Sequence, residues 1–364
     1  MKITRISVYS AILPFKGRPS RGSKTVIVKM ETDEGHVGLG EICTIDERYM
    51  RGFADGAVAG IPLIAKHLIG EDPFHYERLN RMWDAVFSHD LYVKSPLDMA
   101  LWDIMGQATG RPVCDLLGGR YEGQAPLYRS VSFPPEGPTT PEFMVNLCLE
   151  KRAEGFRAFQ QKVGRDPKID IPAIEAVCDI LNPDEILLLD GNTRYTLTEA
   201  ITVANAIRDL PVIMEQPCLT WEESIDFRRR CPLPVKLDEL IETPQDIVRG
   251  YEAGAMDMIA IKVARVGGLT KARKMRDLAL DLGISVVPDD AWGSEIVSSS
   301  LLHFAASTDP RYLICYTNLT DYVTLKTADG FPQRDGPNIT ASDAPGLGLT
   351  LREDVVGEPI HVIE

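Results

Sequence analysis

Apolar and polar positions alternate along residues 2 to about 42, broken by PFKGRPSRG and by the glycine-rich TDEGHVGLGE. That period of two predicts antiparallel strands, with the glycines suited to a hairpin. From about Phe53 to Leu117 the period becomes helical, most clearly in SPLDMALWDIMGQATG, where Ser95 and Pro96 predict a cap and a first turn. Beyond Gly119 short apolar runs alternate with helical stretches roughly every 25 residues, the texture of a βα repeat. Its strands are APLYRS, RAFQQKVG, ILLLDGN, PVIMEQP, PVKLDEL, DMIAIKV, ISVVPDD and RYLICYT. Among the helices between them, Thr140-Pro141-Glu142 opens one, Thr196 and Glu199 form a capping box, and Ala272, Met275, Ala279 and Leu282 form an apolar face ended by Gly283.

Eight βα units predict an α/β fold, a modified (β/α)8 (TIM-like) barrel, carrying an α+β capping domain. The boundaries expected are 1–124 for the N-terminal part of the cap, 125–324 for the barrel, and 325–364 for a C-terminal segment returning to the cap. At 364 residues the chain has room for a barrel of about 250 residues and a smaller domain. An open doubly wound sheet would want a glycine-rich phosphate turn after its first strand, and no GxGxxG run is present.

A formal charge of −14, with no large Lys/Arg cluster, argues against nucleic acid and anionic membrane surfaces as partners. The N-terminus lacks the apolar run of a signal peptide, and no stretch approaches the roughly 20 apolar residues of a spanning helix. Seven scattered cysteines without CxxC spacing read as reduced filler in a cytoplasmic protein, not as a thiolate metal site.

Catalytic groups of such barrels stand at the C-terminal ends of strands. Three successive strands end in Asp190, Glu215 and Asp238, separated by 25 and 23 residues, one βα unit each. Carboxylates gathered on one rim repel one another unless a hard divalent cation takes them, which makes Mg²⁺ (or Mn²⁺ as a substitute) the expected cofactor. Lys162 and Lys262 end the second and sixth strands, on opposite sides of an eight-stranded ring. A neighbouring dication and partial burial would lower their pKa towards that of a useful base. A Schiff-base aldolase would need only one lysine and would leave the three acids without a shared purpose.

At these residues, together with ALWDIMGQATGRPVCDLLGG and RVGGLTKA, the chain resembles the muconate lactonizing enzyme subgroup of the enolase superfamily over essentially its whole length. The resemblance implies abstraction of an α-proton from a small carboxylate substrate through a metal-stabilised enediolate, and a homo-oligomer, often an octamer. The subgroup usually has Lys-x-Lys on its second strand where this chain has Gln160-Gln161-Lys162, so a neutral amide stands beside Lys162. Lys236 is either a compensating charge or simply the partner of an inner acid. Asn192 and Glu239 are supporting residues. Substrate choice is expected near residues 14–24 and 43–53, including Tyr49, and at the seventh and eighth strand ends. The seventh reads PDDAWGSE, placing Asp289, Asp290, Trp292 and Glu295 near the pocket mouth, a set suited to a cationic nitrogen. The eighth, CYTNLTD, lacks the Asp-x-Asp of the dipeptide epimerases. The branch most similar acts on hydroxyproline- and proline-type imino acids and betaines. Dehydration is preferred over epimerisation because the acids can hydrogen-bond a secondary ammonium. A muconate-type cycloisomerase and an inactive relative are the remaining alternatives.

Overall fold

The computed structural model describes residues 1–46, 49, 51–122, 125–134, 136–334 and 336–364. Three antiparallel strands, β1 (Ile3–Phe15), β2 (Arg18–Thr32) and β3 (Val37–Cys43), open the chain. The C-terminal strand His361–Ile363 adds to the free edge of β1. PFKGRPSRG interrupts the sheet less than expected, because only Lys16 and Gly17 form the turn between β1 and β2.

Of the TDEGHVGLGE glycines, only Gly35 belongs to a turn, at φ 83°. Gly38 and Gly40 lie inside β3, where a Cβ would come within 2.1 Å of the Ala100 carbonyl oxygen and 1.8 Å of that of Pro96. They let the helix Leu91–Thr109 lie directly on the sheet. That helix also departs from the expected start: Ser95 and Pro96 are inside it, and the chain enters through Asp90 in the left-handed region at φ 54°. As the sixth residue of that helix, Pro96 lies past the four N–H groups that have no intrahelical partner, so the helix gives up one backbone bond there.

Seven parallel strands follow in sequential order: β4 (Tyr128–Val131), β5 (Ala158–Lys162), β6 (Ile186–Asp190), β7 (Val212–Glu215), β8 (Val235–Leu237), β9 (Met258–Lys262) and β10 (Ser285–Asp289). The eighth run is not a regular strand. Residues 312–316 close the ring through single bridges, Leu313 to Val286 on one side and Tyr316 to Leu127 on the other. The Thr140, Thr196 and Thr220 side chains each accept a bond from the third residue of the helix that follows, as capping chemistry predicts for the first two. Among the described residues no helix is long and apolar enough to cross a membrane. All seven cysteines are free, and all but Cys178 are buried.

Acids of the first domain fix it to the barrel. Glu41 on β3 accepts from Ser294 N (3.0 Å), Ser294 Oγ (2.8 Å) and Val297 N (3.1 Å) at the start of the helix Glu295–Ala306. Asp98 accepts from Thr270 N (2.8 Å) at the start of the helix Leu269–Asp281. Carboxylates at helix N-termini satisfy otherwise unpaired N–H groups and meet the positive end of the helix dipole. The cap is thereby set over the strand ends.

His303, buried on the same Glu295–Ala306 helix, has its pKa pushed down to about 4 by burial. A group depressed in the folded state stabilises the fold above its unfolded value and loses that contribution as pH falls towards the folded one. Stability is therefore expected to fall between about pH 6.5 and 4. Denaturant titrations across that range should show a shallower decline for His303→Gln.

Candidate active site

Each of the three expected metal acids is buried at the end of its strand: Asp190 closes β6, Glu215 closes β7, and Asp238 follows β8. Each is held by basic side chains. Lys162 donates to Asp190 Oδ2. Lys236 Nζ lies 2.8 Å from Glu215 Oε1, and Gln160 Nε2 donates to Glu215 Oε2 at 3.0 Å. Asp238 receives Arg265 Nη1 at 2.7 Å and Lys262 Nζ at 3.3 Å. Among the described residues no three His, Cys, Asp or Glu side chains form a ready-made metal cage.

The local electrostatics nevertheless suit a dication. Burial, reinforced by the charges of Asp190 and Asp238 and opposed by Lys236, raises the Glu215 carboxyl to about 7. Burial and the same two aspartates raise Glu239 to about 8. In Asp238 burial is outweighed by Lys262, Arg265 and Lys236, and its pKa is lowered. Four hard oxygen donors at the ends of three neighbouring strands, two of them with raised pKa values, fit Mg²⁺ chemistry.

Among the protein's own groups, the carboxylates dominate the two lysines. Burial pulls the Lys162 ammonium down, but Asp190 and Glu215 outweigh it and hold the pKa above the ordinary value. Asp238 and Asp289 likewise outweigh burial at Lys262. Lys236 is the partner of an inner acid, Glu215, and shares that acid with Gln160, so the two face one carboxylate from opposite sides.

The loops after these acids carry backbone strain. Asn192 and Thr193 sit at φ 41° and 62°, and Gln216 at φ 31°, all in the left-handed region that side-chain-bearing residues avoid. The turns are held by specific bonds: Asn192 N donates to Asp190 Oδ1 (2.8 Å) and Asn192 Nδ2 to Glu239 Oε1 (3.0 Å), while Gln216 Oε1 accepts from Asp238 N (2.9 Å).

A cavity of about 740 Å³ opens above this floor. Gln160, Lys162, Asn192, Glu239, Lys262, Asp289, Asp290, Trp292 and Tyr49 all line it. Glu295 does not. It begins a helix, and its Oε2 accepts from Thr327 N at 2.8 Å. Asp290 accepts from Ala264 N and Ala291 N, both at 2.8 Å, and burial raises its pKa to about 7. Asp289 is occupied by Lys262 and, at 2.8 Å, by the Tyr128 hydroxyl. Of the three acids expected at the pocket mouth, Asp289 and Asp290 line the cavity, whereas Glu295 is turned to Thr327 and does not. Tyr49 reaches Asp238 Oδ2 at 3.3 Å. Within 14–24, Phe15 backs Trp292 with ring centroids 5.2 Å apart. Of 43–53, Glu47, Arg48 and Met50 lie outside the described residues.

Four residues were not singled out from the sequence. Tyr128 and Tyr322 line the cavity, Gln216 supports Asp238, and Arg265 pairs with it. Tyr128 was findable, since it stands on the inner face of the first barrel strand, two positions before Ser130.

Residues 15–118 match a family described as mandelate racemase / muconate lactonizing enzyme, N-terminal domain, and residues 144–355 match one described as enolase C-terminal domain-like. The chain is 41% identical to a cis-3-hydroxy-L-proline dehydratase from Roseibium aggregatum, covering 99% of each. It is 30% identical to an N-succinyl-L-Arg/Lys racemase from Bacillus cereus, covering 98% of each. A crystal structure of a mandelate racemase/muconate lactonizing enzyme from Roseovarius nubinhibens, complexed with magnesium, superposes with a TM-score of 0.95 at 31% identity, covering 100% of this chain and 99% of that one.

Proposed function

The chain belongs to the mandelate racemase/muconate lactonizing enzyme family and is an enzyme of the enolase superfamily, and from that premise we propose that it removes the α-proton of a small carboxylate with Lys162 and Lys262, using Mg²⁺ held by Asp190, Glu215 and Asp238. The specific reaction proposed is dehydration of cis-3-hydroxy-L-proline, for which the 41% identical dehydratase is the main support. The observation that carries the chemistry is the placement of Lys162 and Lys262 at the ends of β5 and β9, with three acid-ended strands between them.

When bound, the dication supplies electrophilic stabilisation of the charge that develops as the α-proton leaves. The rest falls to side chains. In the cis isomer the ring carries its α-hydrogen and its 3-hydroxyl on opposite faces. One lysine takes the proton while the opposite lysine donates to the departing oxygen. Water leaves, a C2–C3 double bond forms, and the resulting enamine tautomerises to pyrroline-2-carboxylate. Trp292, Tyr49 and Asp290 form the candidate substrate wall.

The trans-3-hydroxy isomer places hydrogen and hydroxyl on the same face, which opposed lysines do not serve. Product analysis by NMR should show pyrroline-2-carboxylate from the cis isomer and about tenfold less or lower from the trans isomer, in keeping with the weight of orientation in such steps. Equal turnover of the two isomers would overturn the dehydratase reading.

Epimerisation of proline-type betaines is the second reading. It is favoured by Tyr49, Tyr128, Trp292 and Tyr322 surrounding one cavity, an aromatic lining suited to a quaternary ammonium. It predicts inverted betaine with no elimination product. A cytoplasmic homo-oligomer completes the proposal, and light scattering would give its size.

A further inference from the structure

Lys162 and Lys262 are held in different ways. Lys162 donates to Asp190, on the adjacent strand β6 and one of the proposed metal acids. Lys262 lies 3.3 Å from one such acid, Asp238, but also donates to Asp289, which ends the adjacent strand β10 in register with it and belongs to no proposed metal set. The other oxygen of Asp289 accepts from Tyr128 Oη at 2.8 Å and from Asp290 N at 2.8 Å. Tyr128 starts β4, on the far side of the closing segment 312–316, so the phenol reaches across the seam of the barrel. Lys236 Nζ stands 5.9 Å from the centroid of its ring.

We propose that Tyr128 and Asp289 are the positioning pair for Lys262, and that they govern proton transfer on one face of the substrate only. The inference rests on the two-lysine reading above. All three residues are nearly inaccessible, at 6% for Tyr128 and 2% each for Asp289 and Lys262, so their bonds are largely shielded from water at the edge of the cavity. An ammonium on a flexible four-carbon stem gains direction from a fixed carboxylate, and that carboxylate gains its own direction from a second donor. Burial, with Asp289 beside it, holds the Tyr128 phenol well above its usual pKa, so it remains a donor. Asp289 thus serves the lysine, not the substrate's nitrogen. No hydrogen bond or ion pair of Lys162 involves either residue.

The test is face-resolved α-proton exchange. L-proline and D-proline lack the 3-hydroxyl and cannot eliminate, and each presents its α-hydrogen on a different face. With the Mg²⁺-loaded enzyme in D₂O, Lys262→Ala and Lys162→Ala assign one enantiomer to each lysine. Tyr128→Phe and Asp289→Asn are then expected to slow exchange of the Lys262 enantiomer by about tenfold more than that of the other, a shift attributable to orientation. A merely structural role would depress both enantiomers alike, and that result overturns the proposal, as does an unchanged ratio in both variants. Thermal melts of the two variants separate misfolding from misplacement. Should Lys162→Ala and Lys262→Ala both retain exchange of both enantiomers, or the unmodified enzyme exchange neither, the two-lysine reading fails first and carries this inference with it.

Discussion

Lys162→Ala and Lys262→Ala are each expected to lower turnover by about 10²–10⁴-fold, the range that a positioned acid or base contributes. The two replacements differ in structural consequence. Lys262→Ala leaves Asp238 with Arg265 at 2.7 Å, but the buried Asp289 keeps only the neutral donors Tyr128 Oη and Asp290 N, both at 2.8 Å, so a loss of stability is expected beside the loss of turnover. Lys162→Ala removes the only basic side chain within ion-pair distance of Asp190 among the described residues, and its melting temperature should recover when Mg²⁺ is added. Steady-state rates and circular dichroism on the same samples separate chemistry from folding. Undiminished turnover in either variant would contradict the assigned roles.

Removing the metal is the second large effect. Chelation should abolish α-proton exchange, and Mg²⁺ should restore it. A ligand that binds only the folded state stabilises by about 2.7 kcal/mol at a hundredfold excess over Kd, so a thermal melt reports occupancy independently of activity. Asp190→Asn should lose that gain. Glu215→Gln is a poorer probe, because it leaves the buried Lys236 without its ion-pair partner, and losing one partner of such a pair costs roughly 3–5 kcal/mol by itself. A chelated enzyme that still exchanges α-protons, or an Asp190→Asn protein that still gains stability from Mg²⁺, would remove the metal from the account.

Much of the architecture is legible because barrel strands announce themselves twice, by an apolar run and by a polar residue at its end. LLLD, VIME and VKLD each show both signals, and β6, β7 and the end of β8 lie there. RYLICYT has the apolar run, but its backbone makes only single bridges, a distinction composition does not carry. Pro96 misleads for a related reason: local propensity marks it as a first-turn residue, while the packing of the helix on Gly38 and Gly40 extends the helix upstream.

Positions at strand ends are legible in the site, whereas partners are not. Period-two alternation places Gln160 beside Lys162 but does not reveal that Gln160 and Lys236 share Glu215. In PDDAWGSE the acids look equivalent, yet three different environments separate them: a lysine and a phenol for Asp289, backbone N–H groups for Asp290, and Thr327 for Glu295. Such assignments depend on contacts across the barrel seam and with the C-terminal segment, at separations of up to 161 residues for Tyr128 and Asp289.

Proton NMR of cis-3-hydroxy-L-proline in D₂O, with enzyme and with or without Mg²⁺, tests the central claim most directly. The account predicts Mg²⁺-dependent loss of the α-proton signal together with the appearance of pyrroline-2-carboxylate. An α-proton signal that persists with Mg²⁺ present, for this substrate and for proline-type betaines alike, would contradict it.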